Sequence, residues 1–455
     1  MAIPARKHRK RVISVRILGL EIRRVLKTKI TLILLAAAMG LTFVMAYLPV
    51  TYVYTSYVDA QGNVIEVKGK DAIAYEKQVQ KDIAGEIEDE DVQKAVQQCQ
   101  ECLASYGVTD TYELPQGVYG TEILSYAPLL HGVRESFADP DTGIAPAIMN
   151  IPVEEVADFY SVCEKRLESL MKMEQEDYPK AQQNAIEMYE QVEKPYVFYP
   201  GYNKDAMDYQ VLLSFVIMVI CVVIAAPIFS SDYQTEADAI LRCTKHGRVK
   251  LATAKIVSTL LITGVIYTIC IGAYLIVSNS LFGWECTETS VQMLYSIISL
   301  VNMNLGELQI WVTVAGLISV LATVALTLFL SARFKNVVVS LAMSLMVCIL
   351  PIVIYIALPA EIATWINAVT PSSGVGLMTS VLYILIDFVY LNVGNVSVWL
   401  PYVMIGAGIV EIPVFILGAV RNYIVYSNRC LKYKSIKRCT IIVSCTLVAK
   451  TIKKC

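Results

Sequence analysis

Six runs of apolar residues, each long enough to cross a hydrocarbon core as a helix, leave this chain few ways to fold. They cover Ile30 to Tyr54, Tyr209 to Phe229, Leu251 to Val277, Gln309 to Ser331, Val337 to Leu358 and Val396 to Val420. A crossing helix needs about twenty apolar residues. Lipid offers the backbone no hydrogen bonds, so each run must satisfy its own. The 455 residues are 56% apolar and only 17% charged, a balance well outside that of a soluble domain. The expected fold class is an α-helical polytopic membrane protein with six transmembrane helices.

Two further stretches are ambiguous by length alone. Val291 to Met303 is short for a span, and Gly374 to Val393 carries Asp387 and follows Pro371, Ser372 and Ser373. Charge separates the options. The net charge of −2 hides about thirty of the 40 acidic residues between Thr51 and Asp208, against about twelve of the 38 Lys and Arg. Basic clusters flank the spans at the N-terminus (Arg6 to Lys29), at Arg242 to Lys255, at Arg333 to Lys335 and in the tail from Arg421 to Arg438. Bases next to spans mark the cytoplasmic side. Six crossings put all four clusters inside, and a seventh would place the tail outside. Gly374 to Val393 is therefore expected to be a re-entrant or interfacial element on the outer side.

The resulting plan is a basic N-terminus over residues 1–29, a first span at 30–54, and an acidic extracytoplasmic domain at 55–208. A second span at 209–229, a cytoplasmic loop at 230–250 and a third span at 251–277 follow. After an outer loop at 278–308 come spans at 309–331 and 337–358, an outer segment at 359–395, a last span at 396–420 and a basic cytoplasmic tail at 421–455. Val15, Leu18, Ile22, Val25 and Leu26 fall on one helical face with Arg16, Arg23 and Lys27 on another. That pattern predicts an amphipathic helix in the inner headgroup layer. The long basic lead and the apolar run beyond it do not fit a cleavable signal.

Within the acidic domain, helices are expected over Asp71 to Tyr106, from Pro152 through Met173, and over Tyr178 to Val192, making it mostly helical. Its acidic runs fit a solvated helix face better than a cation site, since no Asp-x-Asp-x-Asp-Gly loop is present. Tyr189, Tyr196, Phe198, Tyr199 and Tyr202 precede the second span and read as an interfacial belt. Cys99 and Cys102 form a C-x-x-C inside a helical run, with Cys163 and Cys286 also outside; a disulfide through Cys163 and free buried thiols remain equal alternatives. Cys430, Cys439, Cys445 and Cys455 lack zinc-site spacing, and Thr440 to Ala449 is too short to span.

The chain has no G-x-x-x-x-G-K-[ST] phosphate loop, no H-E-x-x-H and no G-x-S-x-G, and only three His. The spans hold almost no ionisable residues, whereas ion-coupled carriers place such groups at depth. Energy for any movement is therefore expected from outside the chain. Nothing points to a nucleic-acid partner.

Between the second and third spans the chain reads PIFSSDYQTEADAILRCTKHGRVKLATAKI, from Pro227 to Ile256. This loop resembles that of permease subunits in the type-2 exporter class of ATP-binding-cassette (ABC) transporters, in a bacterial branch with a large domain between the first two spans. Phe229, Ser230, Asp232 and Tyr233 match the family's Phe-Ser and acidic-aromatic pair. Thr235 to Arg242 stands at its amphipathic coupling helix, and Gly247-Arg248 and Ala254-Lys255 at its basic exit. Glu236 occupies a position where glycine is expected, and Lys245 one where proline is common.

The resemblance implies a permease that carries no catalytic residue and pairs with a second permease, as homodimer or with a sister subunit. It would recruit a separate ABC ATPase that supplies ATP and Mg chemistry, and lie in a bacterial inner membrane with both termini cytoplasmic. Asp232, Tyr233, Glu236, Asp238, Ile240, Leu241 and Arg248 would couple it to that motor, Ile240 and Leu241 as apolar anchors and Asp232, Glu236 and Asp238 as charges. The alternative is a membrane sensor whose outer domain binds a ligand and whose bundle relays a signal without moving a substrate.

Overall fold

A computed structural model describes residues 15–243 and 248–425. Lys245, His246 and Gly247, the tail beyond residue 425 with its cysteines and most of its bases, and the bases before residue 15 lie outside the described residues. Among these, six helices are long and apolar enough to cross a membrane: Lys29–Tyr52, Asp205–Gln234, Val249–Phe282, Leu305–Arg333, Val337–Ala357 and Leu400–Val425. An amphipathic helix, Val15–Leu26, precedes them. The first span packs on the second and third, and the fourth packs on the second, third and fifth.

The helices overrun the apolar runs where the next residues still form helix. The second span continues past Phe229 to Gln234, with the hydroxyls of Ser230 and Ser231 donating back to the carbonyls of Ala226 and Pro227. The sixth span differs in the other direction. It begins at Leu400 rather than Val396, because Val396–Trp399 is a strand paired with Tyr390–Val393 around Gly394, whose φ is 57°. β-branched residues alternating across a tight turn favour a hairpin over an added helical turn.

The domain inserted between the first two spans is mostly helical, with helices Lys70–Val79, Asp89–Tyr106, Ala127–Ser136, Phe159–Glu174 and Pro179–Tyr189. Two expectations are corrected. The Asp71 to Tyr106 helix is broken, since Gly85–Ile87 leaves helical geometry to pair with Tyr196–Phe198. Gly85 sits at φ 123°, and a Glu88–Asp91 capping box restarts the helix. The helix expected from Pro152 begins instead at Phe159, because Asp158 (φ −127°, ψ 56°) separates it from a single 3-10 turn at Glu155–Asp158.

The aromatic belt is a third correction. Tyr189, Tyr196 and Phe198 are buried in the domain's core. The two tyrosine hydroxyls lie 2.6 Å apart, and that of Tyr196 donates to the Ile297 carbonyl at 3.1 Å. Buried phenols need such partners. Cys99, Cys102, Cys163 and Cys286 are free thiols. Burial pushes the Cys99 thiol up to about 11 and raises that of Cys163 further, which leaves both protonated and unreactive at neutral pH.

Neither ambiguous stretch spans. Residues 291–303 form one helical turn and a loop beneath the inserted domain, held by Glu135, which accepts from Ser296 Oγ at 2.5 Å and Ile297 N at 2.9 Å. Residues 360–399 fold into helices Ala360–Ala368 and Val381–Ile386 and the hairpin. This segment completes the fifth span. Pro351 has no N–H for the Val347 carbonyl, and Ser372 Oγ supplies the missing donor at 2.7 Å. Ser319 Oγ of the fourth span donates to the Pro371 carbonyl at 2.5 Å. On its far side the segment meets the inserted domain, where Asn184 Nδ2 donates to the Ser397 carbonyl at 3.0 Å. The domain and its end of the bundle consequently share one apolar core, and the opposite end has its own.

Candidate functional site

At that opposite end the second span is stitched to its neighbours before it emerges. Pro227 interrupts its hydrogen-bond ladder, and hydroxyls from two other spans fill the gaps. Ser331 Oγ accepts from the Phe229 and Ser230 amides at 3.0 and 3.1 Å and donates to the Ala226 carbonyl at 2.6 Å. Ser340 Oγ donates to the same carbonyl at 3.1 Å.

One turn further on, Asp232 is buried between two cations. Lys255 of the third span, fully buried, donates to Asp232 Oδ2 and also to the Ile228 carbonyl at 3.1 Å. Arg24 of the N-terminal helix reaches Asp232 Oδ1 at 3.3 Å and Glu21 at 3.0 Å. The Lys255 ammonium lies 5.6 Å from the centre of the Phe229 ring. One carboxylate thus ties together the N-terminal helix, the second span and the third. Burying charge is tolerable only when it is paired and hydrogen-bonded. Tyr233 is buried too, with its hydroxyl donating to the Ala332 carbonyl at 3.3 Å and its ring 6.4 Å from that of Tyr423 in the last span.

Beyond Gln234 the chain turns sharply at Glu236, the one non-glycine residue with positive φ, at 56°, among the described residues. The left-handed region costs an ordinary residue about 1–2 kcal/mol, which explains why glycine suits this position. A short helix, Ala237–Cys243, follows. Ile240 on it is 74% exposed, and Glu236 and Arg248 are exposed as well. Asp238 is buried and Leu241 half-buried, and both have partners within the chain.

The seven residues singled out from sequence therefore divide. Asp232, Tyr233 and Asp238 face inward, and the charge of Asp232 is met by Arg24 and Lys255 rather than left for a partner. Glu236, Ile240 and Arg248 face outward, with Leu241 between the two sets. Sequence reasoning missed the roles of Arg24, Ser331, Ser340 and Tyr423. Lys255 left a signal, a lone base within the apolar run Leu251 to Val257. Glu411 is the second charged residue within the six apolar runs read from the sequence. Its Oε2 is buried without a hydrogen-bond partner, in a small cleft with Ser319, Gly374 and Gly408. Among the described residues no three His, Cys, Asp or Glu cluster as a metal site would require.

Six apolar crossing helices, locked to one another by buried polar contacts, define an α-helical multi-pass membrane protein. The family model for ABC-2 family transporter proteins matches residues 15–410, and the chain belongs to that family. It is accordingly a permease subunit of an ABC transporter, a membrane transport component of a kind that works with an ATP-hydrolysing partner. No curated protein and no solved structure matches it.

Proposed function

We propose that this permease exports its substrate, driven by a separate ATPase that docks on Glu236, the short helix Ala237–Cys243 and Arg248. The observation that carries this reading is the position of Ile240, 74% exposed on a short helix whose root is locked by Asp232. An apolar side chain presented on a short helix suits a groove in a partner. Glu236 and Arg248 flank it with charge.

The inward residues then acquire a mechanical role. A push on the short helix reaches the second span, and Asp232 passes it to the third span and the N-terminal helix together. ATP and Mg act in the partner, and two permeases, identical or sister, form the pathway. In this reading the domain faces the exterior of a bacterial inner membrane and both termini lie in the cytoplasm, an orientation that the basic clusters beside the spans support. The cavity in the inserted domain described below favours a second reading, a sensor whose bundle relays ligand binding without transport. ATP hydrolysis with cargo movement in liposomes supports export, and hydrolysis without movement supports the sensor.

The docking surface is tested by replacing Ile240 and Leu241 together by Asp. The expected result is loss of co-purification with the ATPase and normal membrane insertion. Unchanged recovery of the complex contradicts this docking surface.

A further inference from the structure

The inserted domain contains a cavity of about 930 Å³, within the range of small-molecule sites. Its floor is apolar, with Leu103, Ile123 and Leu130 all buried. Its polar wall comes from two helices. Arg134 and His131, one turn apart, stand on Ala127–Ser136, and Arg166 stands on Phe159–Glu174.

The hydrogen bonding of this wall is unbalanced. Two acidic residues line the cavity, and both are already engaged. Asp110 Oδ1 accepts from the Tyr112 amide at 3.3 Å and from Thr111 Oγ1 at 3.2 Å. Glu135 is held by Ser296 and Ile297. The arginines have no such partners. Arg166 is only 9% exposed, yet its Nε and Nη1 make no hydrogen bond, and Arg134 Nε is likewise buried and unmatched. Asp139 and Glu174 lie near enough to Arg166 to be felt electrostatically, but neither bonds to it. A buried guanidinium with unused donors is costly unless an acceptor arrives.

We infer that this cavity binds a small amphiphilic anion, a carboxylate or phosphate monoester carried on an apolar body. The planar donor forks of two arginines match an oxyanion, and the floor beneath them takes the apolar part. The site also has a route to the bundle. Glu135, beside Arg134 on the same helix, grips the loop between the third and fourth spans, so a ligand that draws on Arg134 pulls on that loop. This assignment does not depend on the motor contact or on the direction of transport.

The test is titration calorimetry on the full chain in lipid nanodiscs, with the heat of empty nanodiscs subtracted. The probes are phenylbutyrate, phenylbutyl phosphate and the neutral phenylbutanol. The expected result is saturable binding of at least one anion, with the alcohol weaker by about tenfold or more. The anion that binds tighter identifies the headgroup. Arg134→Gln should weaken the anion about tenfold and leave the alcohol unchanged. Arg166→Gln should do the same; if that variant fails to fold, the less buried Arg134 decides. Equal binding of anion and alcohol, no saturable anion binding, or full anion affinity in Arg134→Gln overturns the assignment.

Discussion

Where the bundle meets the inserted domain, Val291, Leu305, Val381 and Leu400 are buried in the same core as Leu103 and Phe159. At the other end, a single carboxylate between Arg24 and Lys255 joins three helices, and the short helix beyond it presents Ile240 to the surroundings. Apolar burial is non-directional and spread over many side chains, so no single contact sets the geometry. A buried ion pair is the reverse, directional and dependent on every member being present. The domain end is built to keep its shape as a body. The Asp232 end is built as a joint.

The sharpest way to break this contrast is Lys255→Ala. Removing one partner leaves Asp232 buried beside only the half-exposed Arg24, and we expect a loss of about 3–5 kcal/mol in thermal unfolding. Replacing the pair together, Asp232→Leu with Lys255→Met, should recover most of it. A single-variant cost below about 1 kcal/mol would show that the pair is not a joint at all.

At the domain end, Leu167→Ala should cost about 2–4 kcal/mol through cavity formation. Its Tm change should be insensitive to salt. A strong salt dependence would mean that the domain relies on charge after all.

A smaller effect, of opposite sign, is expected at Glu236. Relieving its left-handed backbone, Glu236→Gly should stabilise the chain by up to about 1 kcal/mol, the strain relieved being partly offset by the freedom glycine gains on unfolding. A loss of stability would place the strain elsewhere.

A pH-dependent effect is expected at Glu76, whose carboxyl burial pushes up from its ordinary 4.5 to about 7. A raised carboxylate pKa favours the folded state while the group is neutral. That contribution is complete below about 4.5 and is lost as the pH rises through about 7. Glu76→Gln should flatten stability across that window, and an unchanged pH profile would remove Glu76 as its source.

The spans were legible because their period and length are imposed by lipid, and the family loop because Phe229, Ser230, Asp232 and Tyr233 stand in a recognisable order. Their partners were not legible. Arg24 lies 208 positions from Asp232 and Ser331 101 from Ser230, and nothing local marks such pairings. The start of the sixth span was misplaced because Val396 to Trp399 is apolar whether it lies in a strand or a helix. The tyrosines before the second span misled for a related reason. Tyr189 and Tyr196 suit a membrane surface and a domain core equally well, and only the Ile297 carbonyl decides between them. Glu236 is the instructive exception. The mismatch between its residue type and the expected glycine was visible in the sequence, and its φ of 56° supplies the cause.

The most direct test compares the two ends in intact cells, with a membrane-impermeant maleimide and labelling read against the parent chain. Cysteine is placed either at Tyr112, 86% exposed in the inserted domain, or at Ile240, 74% exposed on the short helix. The expected outcome is labelling at Tyr112→Cys and protection at Ile240→Cys until the membrane is permeabilised. Labelling of Ile240→Cys in intact cells would put the docking helix on the wrong side for a motor and contradict the account.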